Sequence, residues 1–174
     1  MPRRKRRRPS DAGHEVFSKS PAADSRGGKD FGSAVHEVFE QIEWWSPGQE
    51  LTGPPDAVSL VRKCLGVKEI RALFTRESER DEALRELPVE FVERNTWWSG
   101  VIDRLVLRWN HPGPASATLV DFKTDRVDQA ATLRERYAEQ LAIYRRAVSS
   151  ALRWEEKKID VVLVSTCLAE LVRC

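Results

Sequence analysis

The apolar positions of this chain change their spacing twice, and those changes divide it into elements. Phe31, Val35, Val38, Phe39 and Ile42 recur at steps of three and four, which predicts a helix over residues 31–45. Ser46-Pro47-Gly48 stops it, and the prolines and glycines of residues 46–55 predict a loop. Val58, Val61 and Leu65 predict a short helix over 56–66, ended by Gly66. The charged, amphipathic stretch 67–84 predicts a further helix, broken near Thr75. From Glu86 the period becomes two. Leu87–Val92 predicts a first strand, with Pro88 near its start where a missing N–H is tolerated. Trp97–Trp109 predicts a long second strand, residues 110–116 a turn, and 117–123 a third strand. Leu133, Tyr137, Leu141, Tyr144, Val148 and Leu152 then restore the helical period over 133–154. Residues 158–168 predict a buried strand, and 169–174 a short edge strand.

Three strands joined by short turns predict an antiparallel meander. With a helix before it and a helix and strand after it, the fold class is α/β, a mixed central β-sheet flanked by helices. The sheet would combine the three-strand meander with a crossover strand. The 174 residues suffice for one domain over 31–174, with a helical insertion at about 56–84. Residues 1–30 lack periodicity and are expected to form a basic, largely flexible N-terminal arm.

Composition and charge refine this outline. The chain is 41% hydrophobic and 32% charged, the balance of a polar globular protein, and no apolar run is long enough to span a bilayer. The basic start lacks the apolar stretch of a secretory signal. Net charge is only +2, but Arg3, Arg4, Lys5, Arg6, Arg7 and Arg8 supply six of the 29 basic residues, so the body is acidic. A basic arm on an acidic domain fits an electrostatic handle for phosphates, and equally a disordered tail. Cys64, Cys167 and Cys174 show no paired spacing, which excludes a zinc ribbon or four-cysteine cluster and suggests a reducing, cytoplasmic setting.

The chemistry concentrates in Gly100–Asp125. Asp103 and Asp121 interrupt two apolar strands, and Lys123 shares a strand face with Asp121. Acids on adjacent strands can share a cation, oxygen ligands suit Mg²⁺ or Mn²⁺, and a lysine beside them can serve an attacking water. The alternative is a strand-end salt bridge among Asp103, Arg104, Asp121 and Lys123. His36 stands beside the first helix's apolar stripe, where a packed core histidine is the ordinary reading. Gly32, Ser33 and Ala34 ahead of it would let that helix approach a sheet closely. A zinc-protease reading of His36-Glu37-Val38-Phe39-Glu40 fails, because Glu40 stands where the second histidine should be. His14-Glu15-Val16-Phe17 repeats the same letters but lies in the arm. Arg26-Gly27-Gly28-Lys29 is similar in letters to a phosphate loop, yet Asp30 replaces the required Ser or Thr, so no nucleotide is expected. Glu86 could reach the site from the first strand, with Glu90 as its rival. Gln140, between Tyr137 and Tyr144 on one helix edge, could hold a phosphate or position the lysine. Trp44-Trp45 and Trp97-Trp98 are more readily core and edge packing than base-stacking platforms.

Five segments in order resemble the RecB-type nuclease domain of the PD-(D/E)XK superfamily, as found at the C-terminal end of UvrD-like helicase–nucleases such as AddA. They are Arg26–Glu40 with its His36, Glu86-Leu87-Pro88, Gly100-Val101-Ile102-Asp103, Leu119–Asp125, and Tyr137–Tyr144. Each is weak alone; their order and spacing over residues 26–166 are specific. The resemblance implies a restriction-endonuclease-like αβββαβ core. It implies metal binding by His36, Asp103, Asp121 and the Phe122 backbone carbonyl. Catalytic roles are implied for Asp103, Asp121, Lys123, Glu86, Gln140 and Tyr144.

The implied activity is Mg²⁺-dependent hydrolysis of DNA, with Mn²⁺ as a substitute, of exonuclease type and tied to recombination or double-strand-break repair. Implied partners are DNA and a UvrD-like helicase, with no membrane and no iron–sulfur cluster; the expected location is cytoplasmic, at the nucleoid. These 174 residues hold no helicase motor, so ATP-driven degradation is not expected of them alone. The alternative is a DNA-binding or helicase-docking module with a vestigial nuclease site.

Overall fold

The computed structural model describes residues 5–9, 25–93, 95–110 and 113–174. The elements run β1 (Lys5–Arg7), α1 (Ser25–Glu40), α2 (Pro55–Gly66), α3 (Lys68–Ala72), β2 (Glu82–Glu93), β3 (Thr96–Asn110), β4 (Gly113–Lys123), α4 (Ala131–Leu152), β5 (Ile159–Ser165) and β6 (Glu170–Arg173). β2, β3 and β4 form the antiparallel meander. α4 then crosses over so that β5 lies parallel to β4, and β6 closes the far edge antiparallel to β5. The expected αβββαβ core is therefore present. Among the described residues no helix is long and apolar enough to cross a membrane.

The centre of the sheet, β4 and β5, is buried on both sides. Val120, Phe122, Val162 and Val164 pack against Val35, Val38 and Phe39 of α1, against Ile42 just beyond it, and against α2 and α3. Leu105, Leu107, Leu119, Val161 and Leu163 pack against Leu133, Leu141, Tyr144 and Val148 of α4. The alternation along β4 and β5 thus sorts side chains between two helical layers. Phe39 stacks on Phe122 at 4.1 Å between ring centroids, joining α1 to β4.

β4 begins at Gly113 rather than 117, and three other boundaries differ from the expected ones, each for a tertiary reason. First, α1 ends at Glu40 rather than near Trp45. The Gln41 side chain bonds the Thr52 backbone on both sides, and the freed carbonyls of Ile42 and Glu43 accept from the buried Arg104 guanidinium at 2.8 and 2.6 Å. Second, helix in the 67–84 stretch extends only over Lys68–Ala72. Asp81 accepts from the Glu77 and Ser78 amides, both at 3.0 Å, and this side-chain turn competes with further helix. β2 follows from Glu82 and is five residues longer at its start than the pattern showed. Third, the basic arm includes structure: Lys5–Arg7 pairs in parallel with Thr96–Trp98, and α1 begins at Ser25. His14 lies outside the described residues.

Candidate active site

β3 carries β2 along one edge from Thr96 to Leu107. On its other edge β4 pairs only from Arg104 onward, because β4 peels away beyond Val120 to follow β5. β1 takes the same edge only at Thr96–Trp98. Among the described residues, 99–103 have no strand neighbour on that edge, and Ser99, Gly100, Val101 and Asp103 floor a cleft of about 530 Å³. Asp121 and Lys123 line it from β4, Gln140 and Tyr144 from α4, and Arg8 from the segment after β1.

Close approach explains two glycines of the motifs. A β-carbon on Gly100 would sit 2.8 Å from the Tyr144 hydroxyl and 3.1 Å from Pro9 Cδ. One on Gly32 would sit 2.9 Å from Thr124 Oγ1. The absence of a side chain at Gly32 thus lets α1 bring His36 to the end of the sheet.

Asp103 sits where β3 and β4 part. Its Oδ2 accepts the Phe122 N–H at 2.7 Å, and its Oδ1 lies 3.5 Å from His36 Nδ1. Glu86 stands between the pairs Arg85↔Arg104 and Leu87↔Ile102, and so opposite Asp103. Its φ of +45° is left-handed, a strained conformation for a residue with a side chain. One ligand atom each from His36, Glu86 and Asp103 lies within 4.8 Å of the others.

Asp121 belongs to a second, adjoining group. It is buried, its Oδ2 lies 2.6 Å from Lys123 Nζ, and its Oδ1 accepts from Gln140 Nε2 at 3.3 Å. The Lys123 ammonium also lies 4.4 Å from the centre of the Tyr137 ring. Tyr137 in turn donates to Asp125, which Arg136 holds at 2.8 Å. Tyr137 therefore fixes the lysine from the ring side, and Asp125 serves as scaffold.

The electrostatics follow from burial and proximity. Desolvation pushes the Asp121 carboxyl well above its ordinary value, and Asp103 adds to this, although Lys123 opposes it. Burial alone would lower Lys123, but Asp121 and Asp103 carry it above its ordinary value, so it keeps its proton. Glu86 is raised, first by desolvation and then by Asp103. For His36, burial lowers the pKa, but its hydrogen bond to Asp103 and that residue's charge win and raise it. Tyr144 is pushed up to about 12, mainly by burial.

The chain matches the PD-(D/E)XK nuclease superfamily over residues 12–170, which takes in every element from α1 to β5. It belongs to that superfamily. Among curated proteins it is similar to an ATP-dependent helicase/nuclease subunit of Streptococcus suis (strain 98HAH33), with 26% identity covering 90% of this chain and 13% of that protein. The exonuclease/helicase subunit RexA of Streptococcus pneumoniae serotype 4 is 27% identical over 84% of this chain and 13% of its own length. A further ATP-dependent helicase/nuclease subunit, from Streptococcus agalactiae serotype Ia, is 28% identical over 76% of this chain and 12% of its own. The chain thus spans about one-eighth of the length of these relatives.

Within this PD-(D/E)XK domain all of the expected site residues meet around one gap in the sheet. Their grouping differs from the expected ligand set. Glu86 joins His36 and Asp103, while Asp121 is held apart by Lys123 and Gln140. Phe122 presents its amide to Asp103, and its ring lies in the core against Phe39. Glu90, the rival of Glu86, stands opposite Ser99, four residues further along β2. Arg104 is not part of the site: its guanidinium is buried against three carbonyls and the Phe74 ring. Sequence reasoning missed Arg8, Ser99 and Val101 as cleft residues. The basic run was visible, but no periodicity in so short a segment showed that it pairs with β3.

Proposed function

We propose that this chain is a divalent-metal-dependent DNA nuclease, of exonuclease type, working as the nuclease part of a helicase–nuclease in double-strand-break repair or recombination. The observation that carries this reading is the convergence of His36, Glu86 and Asp103 beside the Asp121–Lys123 pair at one gap in the sheet. One imidazole nitrogen and two carboxylates suit Mg²⁺, and the imidazole makes Mn²⁺ as good a fit. Asp121 and the Phe122 carbonyl are proposed to complete the set. A bound cation would supply a Lewis acid that offsets charge developing on the phosphate.

The chain's own residues do the rest. Lys123, kept protonated by its acid neighbours, presents an ammonium to the developing anion and orients the attacking water. Gln140 and Lys123 together fix the Asp121 carboxylate, and Tyr137 fixes Lys123. Tyr144 seals the cleft against Gly100. The positive φ of Glu86 turns its carboxylate toward the cluster at the cost of local strain.

The test is degradation of linear DNA by the purified chain with Mg²⁺ or Mn²⁺. Wild-type protein cleaves, while the Asp121→Ala and Lys123→Ala variants do not. Wild-type protein inert with both metals, on single- and double-stranded DNA alike, overturns the proposal.

A further inference from the structure

The segment Lys5–Pro9 is more than a tail. Lys5–Arg7 is tied to β3 by strand pairing, and Pro9 is buried with its Cδ against Gly100. Arg8 therefore lies between two anchored residues, and it lines the cleft while remaining exposed. β1 runs up the edge of β3 toward the gap as β4 runs down the same edge from the other end. Arg8 and Lys123 thus approach one cleft from its two ends.

The charges single out Arg8 as the group that can draw an anion into this cleft. Asp103 and Asp121 line the cleft with Glu86 close by, and such a cluster repels a phosphodiester. Lys123 is already paired with Asp121 at 2.6 Å. Among the described residues Arg8 has no ion-pair partner, and it is the uncommitted cation of the lining. A guanidinium offers forked donors suited to phosphate oxygens.

A second feature lies beside the same strand. Trp97 pairs with Arg6 of β1 on one side and Val92 of β2 on the other, and its side chain is 40% exposed. Exposed Val92 and Val101 share its face of β2 and β3. Asp103 is six residues away along β3, roughly 20 Å of extended strand. An exposed indole there can stack on a splayed base of a single strand.

We propose that the Lys5–Pro9 segment is a substrate clamp of the cleft, in which Arg8 grips a backbone phosphate opposite Lys123 and Trp97 stacks on a base further along the same single strand. This rests on the nuclease reading for the identity of the ligand. The test therefore reads binding in EDTA, without cleavage.

The full chain is titrated with a fluorescent oligothymidine, followed by anisotropy at several salt concentrations. Arg8→Gln is expected to weaken binding about tenfold and to flatten the log–log salt slope by about 0.7, the loss of one phosphate contact on a single strand. Arg8→Lys, which keeps the charge, retains most of the affinity and the wild-type slope. Trp97→Ala weakens binding of the single strand about tenfold and leaves a duplex of equal length nearly unaffected, whereas Trp97→Phe retains the affinity. Melting temperatures of all four variants control for folding. Unchanged affinity and slope in Arg8→Gln overturn the clamp. So does tighter binding, which would mark the segment as a plug of the cleft. Wild-type protein that binds as described yet cleaves nothing with either metal would instead sink the nuclease reading and leave the clamp standing.

Discussion

Two stretches of β3 bury charge, and they treat it in opposite ways. At Arg104 the guanidinium is fully enclosed, and its nitrogens reach the carbonyls of Leu73, Ile42 and Glu43 at 3.2, 2.8 and 2.6 Å. Nearby, Asp81 accepts from the amides of Glu77, Ser78 and Trp109 and from Arg108. Burial would raise the Asp81 carboxyl, but these donors outweigh it and hold it below its ordinary value. One residue before Arg104 the balance reverses. His36, Glu86 and Asp103 cluster beside the Asp121–Lys123 pair, and their donors do not outweigh burial, so Glu86 and Asp121 are pushed up. The difference teaches that buried charge alone does not mark a site. An incomplete set of partners does, because such a set leaves room for a cation or an anion to complete it.

That contrast can be attacked from both ends. The largest effect belongs to the satisfied end. Arg104→Met leaves three carbonyls without their donor, and urea unfolding is expected to show a loss of about 3–5 kcal/mol. A loss below about 1 kcal/mol would show that those bonds hold nothing together. At the unsatisfied end, Asp121→Ala or Lys123→Ala should lower the cleavage rate at least about a hundredfold, roughly 3 kcal/mol of barrier, in a steady-state assay with Mn²⁺. Variants as active as wild type would make the pair scaffold, like Asp81.

Next comes Gly100→Ala, which places a methyl group against the Tyr144 hydroxyl and Pro9. It should cost about 1–3 kcal/mol, and adding Tyr144→Phe should recover part of this by removing the crowded oxygen. Purely additive effects in the double-mutant cycle would break the link between β3 and α4.

The smallest effect is the pH dependence. The carboxyls of Asp121 and Glu86 have raised pKa values in the folded chain, and so has the His36 imidazole. Their contribution to stability is complete below the ordinary values, 3.8 for Asp121 and 6.5 for His36. It is lost as pH rises through the folded values, about 6 in the case of Asp121. Asp81 acts oppositely: its contribution is present above 3.8 and is lost as pH falls through its lowered folded value. Metal-free protein should therefore lose site stability as pH rises, through Asp121 between about 4 and 6 and through His36 above 6.5. Asp121→Asn should remove part of that loss. Added Mn²⁺ should raise the melting temperature more at about pH 7.5 than at about pH 5.5, because protons compete for its ligands. An equal rise at both would mean that the clustered acids are not what the metal meets.

Much of this was legible in the sequence where local pattern and tertiary need agree. The alternation in β4 and β5 and the helical stripe of α4 placed those elements within a few residues. Val35, Val38, Phe39 and Ile42 are buried as their spacing required. The pattern failed where side chains reach across the fold to the backbone. Nothing in residues 41–45 shows that Arg104 will claim the carbonyls of Ile42 and Glu43, nor in residues 77–81 that Asp81 will close a turn. Glu86 reads as an ordinary strand residue, because a left-handed φ on a non-glycine leaves no trace in composition.

By itself, then, the sequence determined which residue types are available and in what order. It holds an acid on each of two adjacent strands, a lysine two residues beyond the second acid, a histidine on the first long helix and a glutamine on the helix that follows the strands. Periodicity is a local property, and it assigned these residues to elements. Only the tertiary structure decided which acids meet. β4 leaves β3 just past Val120, opening the gap beside Asp103, and the basic segment re-enters the same edge to bring Arg8 to the cleft. Those outcomes depend on strand pairing between residues far apart in the chain, where register and close approach set distances that no stretch of sequence encodes alone.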